Sequence, residues 1–100
     1  MSKMAQPLRE VTREKLTRYF SLTGEALKMA KASANRTALA SERADFLDMI
    51  QRYYDDAKHF EGKGDFINAF AALSYAHGWL DAGARLGLFD VHDSKLFTVD

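Results

Sequence analysis

Residues 62–88 read GKGDFINAFAALSYAHGWLDAGARLGL, and the fold turns on how this stretch is read. Gly62-Lys63-Gly64-Asp65 breaks a helical pattern. A glycine after the last periodic residue ends one helix, and an aspartate there caps the next by accepting its free N–H groups. From Phe66 to about Leu88 the chain is apolar around most of a helical circumference. Phe66, Ala69, Leu73, Ala76, Leu80, Gly83 and Gly87 form one stripe; Tyr75, Trp79, Ala82 and Leu86 form a second beside it. Only Ser74, His77, Asp81 and Arg85 make a narrow polar strip. A helix wet on so little of its surface must touch two neighbours. These are the two other helices of the chain, or one of them and another chain.

Upstream, Phe46, Ile50, Tyr53, Ala57 and Phe60 recur at spacings of four and three, a bundle seam. Further back, Leu8, Thr12, Leu16, Tyr19, Thr23, Ala26 and Ala30 keep the same period. Pro7 suits a first helical turn, and Gly24 weakens this segment by about 1 kcal/mol relative to alanine. Residues 33–37 read as a loop, with Asn35 a candidate helix end. The spacing therefore predicts helices over about 8–33, 38–61 and 66–88. The tail, 89–100, lacks helical period; its Leu96, Phe97 and Val99 either pack across the bundle end or fray. The expectation is an all-α, up-and-down three-helix bundle with a short C-terminal tail, one domain over residues 1–100.

Composition agrees with one small globular domain. Apolar residues make up 47% of the 100 and charged residues 28%, a balance that sets the chain apart from disordered sequences. The absence of cysteine rules out a disulfide framework, thiol catalysis and a thiolate zinc site. No stretch approaches the roughly 18 apolar residues that span a bilayer, and the first residues show no apolar signal region. The expectation is a cytoplasmic protein with no membrane contact.

Net charge is zero but unevenly spread. Residues 1–36 carry eight basic and three acidic groups, a net +5; residues 37–100 carry six and eleven, a net −5. Arg9, Arg13, Lys28 and Lys31 fall on a solvated face beside the apolar stripe of the first helix. Such a face could serve nucleic acid. A cluster this modest is read first as an N-terminal helix docking on an acidic hairpin of the same molecule.

Two resemblances appear around the second turn. Tyr53, Ala57 and Phe60, then Ala69, Leu73 and Ala76, resemble the large-and-small pattern of one tetratricopeptide hairpin. The closing proline is missing and there is a single copy, so the likeness is to hairpin packing and not to a repeat array. The second is wider. Residues 53–60 (Tyr53, Tyr54, Asp55, Asp56, Ala57, Lys58, His59, Phe60), Lys63-Gly64-Asp65-Phe66, Ala69-Phe70-Ala71-Ala72 and the run Gly78-Trp79-Leu80-Asp81-Ala82-Gly83-Ala84-Arg85-Leu86-Gly87 resemble the archaeal family called domain of unknown function 357. The resemblance covers roughly residues 40–92. It implies an up-and-down three-helix bundle and brings no activity and no catalytic residues.

The residues themselves offer few candidates for chemistry. His77, Asp81 and Arg85 lie four apart on one helix face. A carboxylate between an imidazole and a guanidinium can orient a base or grip an anion; the plainer reading is a charge ladder, about 0.2–0.5 kcal/mol per pair. Asp55 with His59, and Asp90 with His92 and Asp93, lack the spacing of metal ligands. No cofactor or metal is expected, and no recognisable catalytic motif marks an enzyme. Tyr75 and Trp79 are either core aromatics or the centre of a partner interface. The expected function is a protein–protein interaction or scaffold module, self-associating through the third helix, with a nucleic-acid-associated protein as the alternative.

Overall fold

Thr12 starts the first helix: its hydroxyl accepts the Lys15 N–H at 3.1 Å, which satisfies one of the free donors of the first turn. The computed structural model describes residues 11–98 and holds three helices, α1 (Arg13–Ala32), α2 (Ala40–Gly62) and α3 (Phe66–Leu86), with no strand among the described residues. They run up, down and up, and every pair is in contact, α2 and α3 most closely. No helix is long and apolar enough to cross a membrane.

The helix ends differ from the predicted ones for local reasons. The expected start at Leu8 lies outside the described residues, whereas Val11 and Thr12 stand before the first turn. After Ala32 the chain leaves the helix at Ser33 and not at Asn35. Asn35 instead closes a turn: its carboxamide oxygen accepts from Thr37 N–H at 2.9 Å and from the Thr37 hydroxyl at 2.7 Å. The Thr37 oxygen in turn accepts from Leu39 N–H at 3.0 Å, so α2 begins at Ala40 and not at residue 38. Between α2 and α3 it is Gly64, at φ 77°, that takes the left-handed conformation, and Asp65 caps α3 through Asn68 N–H at 3.1 Å. α3 stops two residues short of Leu88 because Gly87 turns left-handed at φ 89°. Leu88 N–H then donates to Gly83 O at 2.9 Å and Gly87 N–H to Ala84 O at 3.2 Å, which satisfies the last carbonyls.

The core has two parts. Near the α2–α3 turn it consists of Leu16, Ala57, Ala69, Ala72 and Leu73. At the other end, Ala26, Leu27, Ala30, Ile50, Ala76, Leu80 and Ala84 meet residues of the tail: Leu88, Phe89, Val91, Leu96 and Phe97. Of the two alternatives for the tail, packing is the one observed for Leu96 and Phe97; Val99 lies outside the described residues. Asp90 N–H donates to Ala34 O at 2.8 Å and Arg36 N–H to Gly87 O at 2.9 Å, so the tail and the α1–α2 loop hold each other across the bundle end. Every buried side-chain polar atom among the described residues has a hydrogen-bond partner.

Candidate functional site

The polar strip of α3 divides once the tail is in place. His77 Nε2 lies 2.6 Å from Leu96 O. A carbonyl only accepts, so the ring proton sits on Nε2, and Nδ1 accepts the hydroxyl of Thr23 at 3.2 Å. Thr23 is 1% exposed, and this ring nitrogen is the partner of its hydroxyl. Asp81 accepts Thr98 N–H at 2.9 Å and the Thr98 hydroxyl at 3.4 Å. Arg85 is exposed, and none of the three side chains bonds another of the strip. His77 and Asp81 thus stitch the tail to the bundle. They also line a hollow of about 330 Å³ between α1 and α3, with Tyr19, Leu22, Thr23 and Leu73 among its walls. No group of three or more metal-ligating side chains is assembled among the described residues.

The second stripe of α3 lies open. Trp79 is half-buried with its ring edge-on to Phe46, centroids 4.8 Å apart at 82°. Tyr75 stacks on Tyr53 at 5.4 Å and 18°, yet remains 63% exposed. Between α2 and α3 these rings border a shallow, largely apolar groove of about 370 Å³, lined by Phe46, Ser74, Tyr75, Gly78, Trp79 and Ala82. Beyond the groove the uncovered surface runs the length of α3, from Ile67, 72% exposed, to Leu86, 60% exposed. No Asp, Glu, Lys or Arg falls between Phe66 and Leu80. The α2 side has acid along it: Glu42, Phe46, Met49, Tyr53 and Asp56 recur at spacings of four and three on the side facing Tyr75 and Trp79.

The basic residues of α1 are dispersed. Arg13 lies over the Phe66 ring, 4.9 Å from its centre. Lys31 donates to Gln51 Oε1 at 2.7 Å. Lys28 is exposed on the outer side, near Glu25. Arg9 lies outside the described residues. Among the described residues no ion pair joins α1 to α2 or α3; the Arg36–Asp90 pair at 3.3 Å links the loop to the tail. Packing and hydrogen bonds, and not ion pairs, seat α1 on the hairpin.

Two roles important to this geometry went unmarked in the sequence. Phe46 was legible only as a seam position, and it is also a wall of the groove. Arg43, on α2, has its guanidinium 5.5 Å from the centre of the Phe89 ring and donates to Leu88 O at 2.6 Å. It also reaches Ser33 Oγ and the carbonyls of Ala30, Lys31 and Ser33 at 2.8–3.3 Å. Tyr54, between α1 and α2, has its hydroxyl pushed above the ordinary value of 10.0, first by burial and then by the nearby charges of Asp55 and Glu61.

Residues 18–89 match the model of a family described as protein of unknown function, DUF357. No curated protein and no solved structure matches the chain.

Proposed function

The chain belongs to the DUF357 family, and since that membership brings no assigned activity, we propose from its surface that it is a protein–protein interaction module. Its docking face is the outward side of α3 together with the groove against α2. The observation that supports this reading is the uncovered apolar length of α3. Ile67, Tyr75 and Leu86 are each more than half exposed on a helix with no charge for four turns. Contiguous apolar surface on a small soluble domain marks a place where something else binds. Aromatic side chains such as Tyr75 and Trp79, rigid and broad, are the residue types that anchor such contacts.

The nucleic-acid alternative draws on Arg13, Lys28 and Lys31. Two of these are engaged within the subunit, over Phe66 and on Gln51, so the apolar face is the stronger support. A protein interaction module with no reaction of its own is also the reading under which the polar atoms of His77 and Asp81 serve the fold.

Affinity capture from native cell extract tests the proposal, with the wild-type chain and Ala82→Arg compared side by side. Ala82 is exposed in the groove, so the arginine leaves the core untouched. Proteins held by the wild type and lost from the variant are expected. The same proteins retained in equal amount by both would overturn the docking face.

A further inference from the structure

Three glycines occupy helix interiors, and two of them have a reason within the subunit. A Cβ at Gly24 would lie 2.7 Å from the Tyr54 hydroxyl, and a Cβ at Gly83 would overlap the Phe89 ring. Gly78 has none: a Cβ there meets no atom within 4 Å. A glycine in mid-helix costs about 1 kcal/mol relative to alanine, and the subunit gains nothing from this one. It stands at the middle of the uncovered side of α3.

The residues around Gly78 fall into pairs about a point between Ala76 and His77, like with like far from it and large with small beside it. Ile67 and Leu86 are equidistant from that point. So are Ala71 and Ala82, Ser74 and Trp79, and Tyr75 and Gly78. A two-fold axis through that point would bring each member of a pair opposite the other on a second, antiparallel helix. Two crossing helices are closest at the crossing and diverge from it. At the crossing a large residue can be seated only opposite a small one, and the two pairs nearest the point are of that kind, Tyr75 with Gly78 and Trp79 with Ser74; Ala71 and Ala82 follow, and the large Ile67 and Leu86 stand at the ends.

We infer that the outward face of α3 is a two-fold antiparallel interface with a second copy of this chain, in which Tyr75 of each copy lies over Gly78 of the other. This names the partner of the face proposed above and rests on that reading. Ala71 opposite Ala82 lets the backbones approach, and Ile67 opposite Leu86 fills the splay at each end. Charge agrees with the antiparallel sense. Arg85 of one copy falls opposite Asn68 of the other, one turn from its Asp65, so a cation meets an acid at both rims. A parallel pair would set Tyr75 on Tyr75 and Arg85 on Arg85. The contact is isologous, so it closes at two copies and leaves no face to propagate. It runs from residue 67 to residue 86, about 28 Å of helix.

Sedimentation velocity from about 10 μM to about 1 mM tests the association, the range suited to an interface below standard size. The wild type is expected to shift from monomer to dimer across it. Gly78→Gln is expected to weaken the dimer at least tenfold (about 1.4 kcal/mol) while its melting temperature at low concentration is unchanged or higher, since its side chain enters open space. A wild type that stays monomeric, or a Gly78→Gln chain that dimerises as the wild type does, overturns the inference. The cysteine-free sequence allows the register to be read separately. Ala71→Cys mixed with Ala82→Cys is expected to form a disulfide-linked pair, and either variant alone is not; self-linking of either variant overturns the antiparallel sense. A monomeric wild type whose capture of another protein still depends on Ala82 removes the second copy and leaves the docking face standing, whereas loss of both removes both.

Discussion

Arg43 reaches from α2 to five acceptors, four at the end of α1 and one just beyond α3. The carbonyls of Lys31, Ser33 and Leu88 lie in or past the last turn of their helices, and Ala30 O, which also accepts from Ser33, closes α1, so the guanidinium does for two helix ends what a cap does for one. Arg43→Met keeps the aliphatic stem and removes the donors; it is expected to lower unfolding free energy by about 2–4 kcal/mol, measured by urea denaturation. Nothing in the residue pattern marked this role, because four of the five acceptors are backbone carbonyls and carry no residue signature. Tyr54 is a second case. Its raised hydroxyl means that the unfolded chain ionises first as pH climbs. Its share of stability is intact below pH 10.0 and is lost as pH rises from there through the folded value. Denaturation midpoints followed into alkali are expected to fall more steeply for the wild type than for Tyr54→Phe.

At the scale of elements, the turn at Gly62-Lys63-Gly64-Asp65 was legible because its signals are local: glycines for the reversal and an acid for the cap. The tail was not. Leu88, Phe89, Val91, Leu96 and Phe97 are all buried, but irregular chain has no period by which burial can be read. What fixes it are long-range bonds, from His77 to Leu96 O and from Thr98 to Asp81. The His77–Asp81–Arg85 spacing was visible in the sequence; that two of its members face the tail was not. His77→Ala removes the Leu96 bond and leaves the Thr23 hydroxyl buried without its partner. The expected result is a loss of about 2–3 kcal/mol, with amide exchange accelerated first at residues 90–98 while α2 keeps its protection. Uniform acceleration across all three helices would show instead that tail and bundle open as one unit.

For the whole molecule, three helices running up, down and up followed from hydrophobic spacing and two breaks, and the expected architecture is the one observed. The stripes of α3 were also legible, since a wheel separates Ala69–Leu73–Ala76–Leu80 from Tyr75–Trp79–Ala82–Leu86. Which stripe a neighbour would cover was not, because spacing gives faces and not occupants. The charge asymmetry likewise suggested a seam of ion pairs between α1 and the hairpin, yet among the described residues that boundary is crossed by hydrogen bonds, Lys31 to Gln51, Thr23 to His77 and Arg43 to the end of α1, and by no ion pair.

The position of Arg43 also bears on the order in which the chain assembles. α2 and α3 are joined by a three-residue turn and can meet early. The guanidinium, by contrast, finds its acceptors only when α1 and the segment past Gly87 are both home. A contact completed last is absent from the rate-limiting ensemble. Removing it should therefore hasten unfolding and leave the refolding limb of a chevron almost unmoved. The clamp governs how long the bundle endures once made, and has little say in how fast it forms.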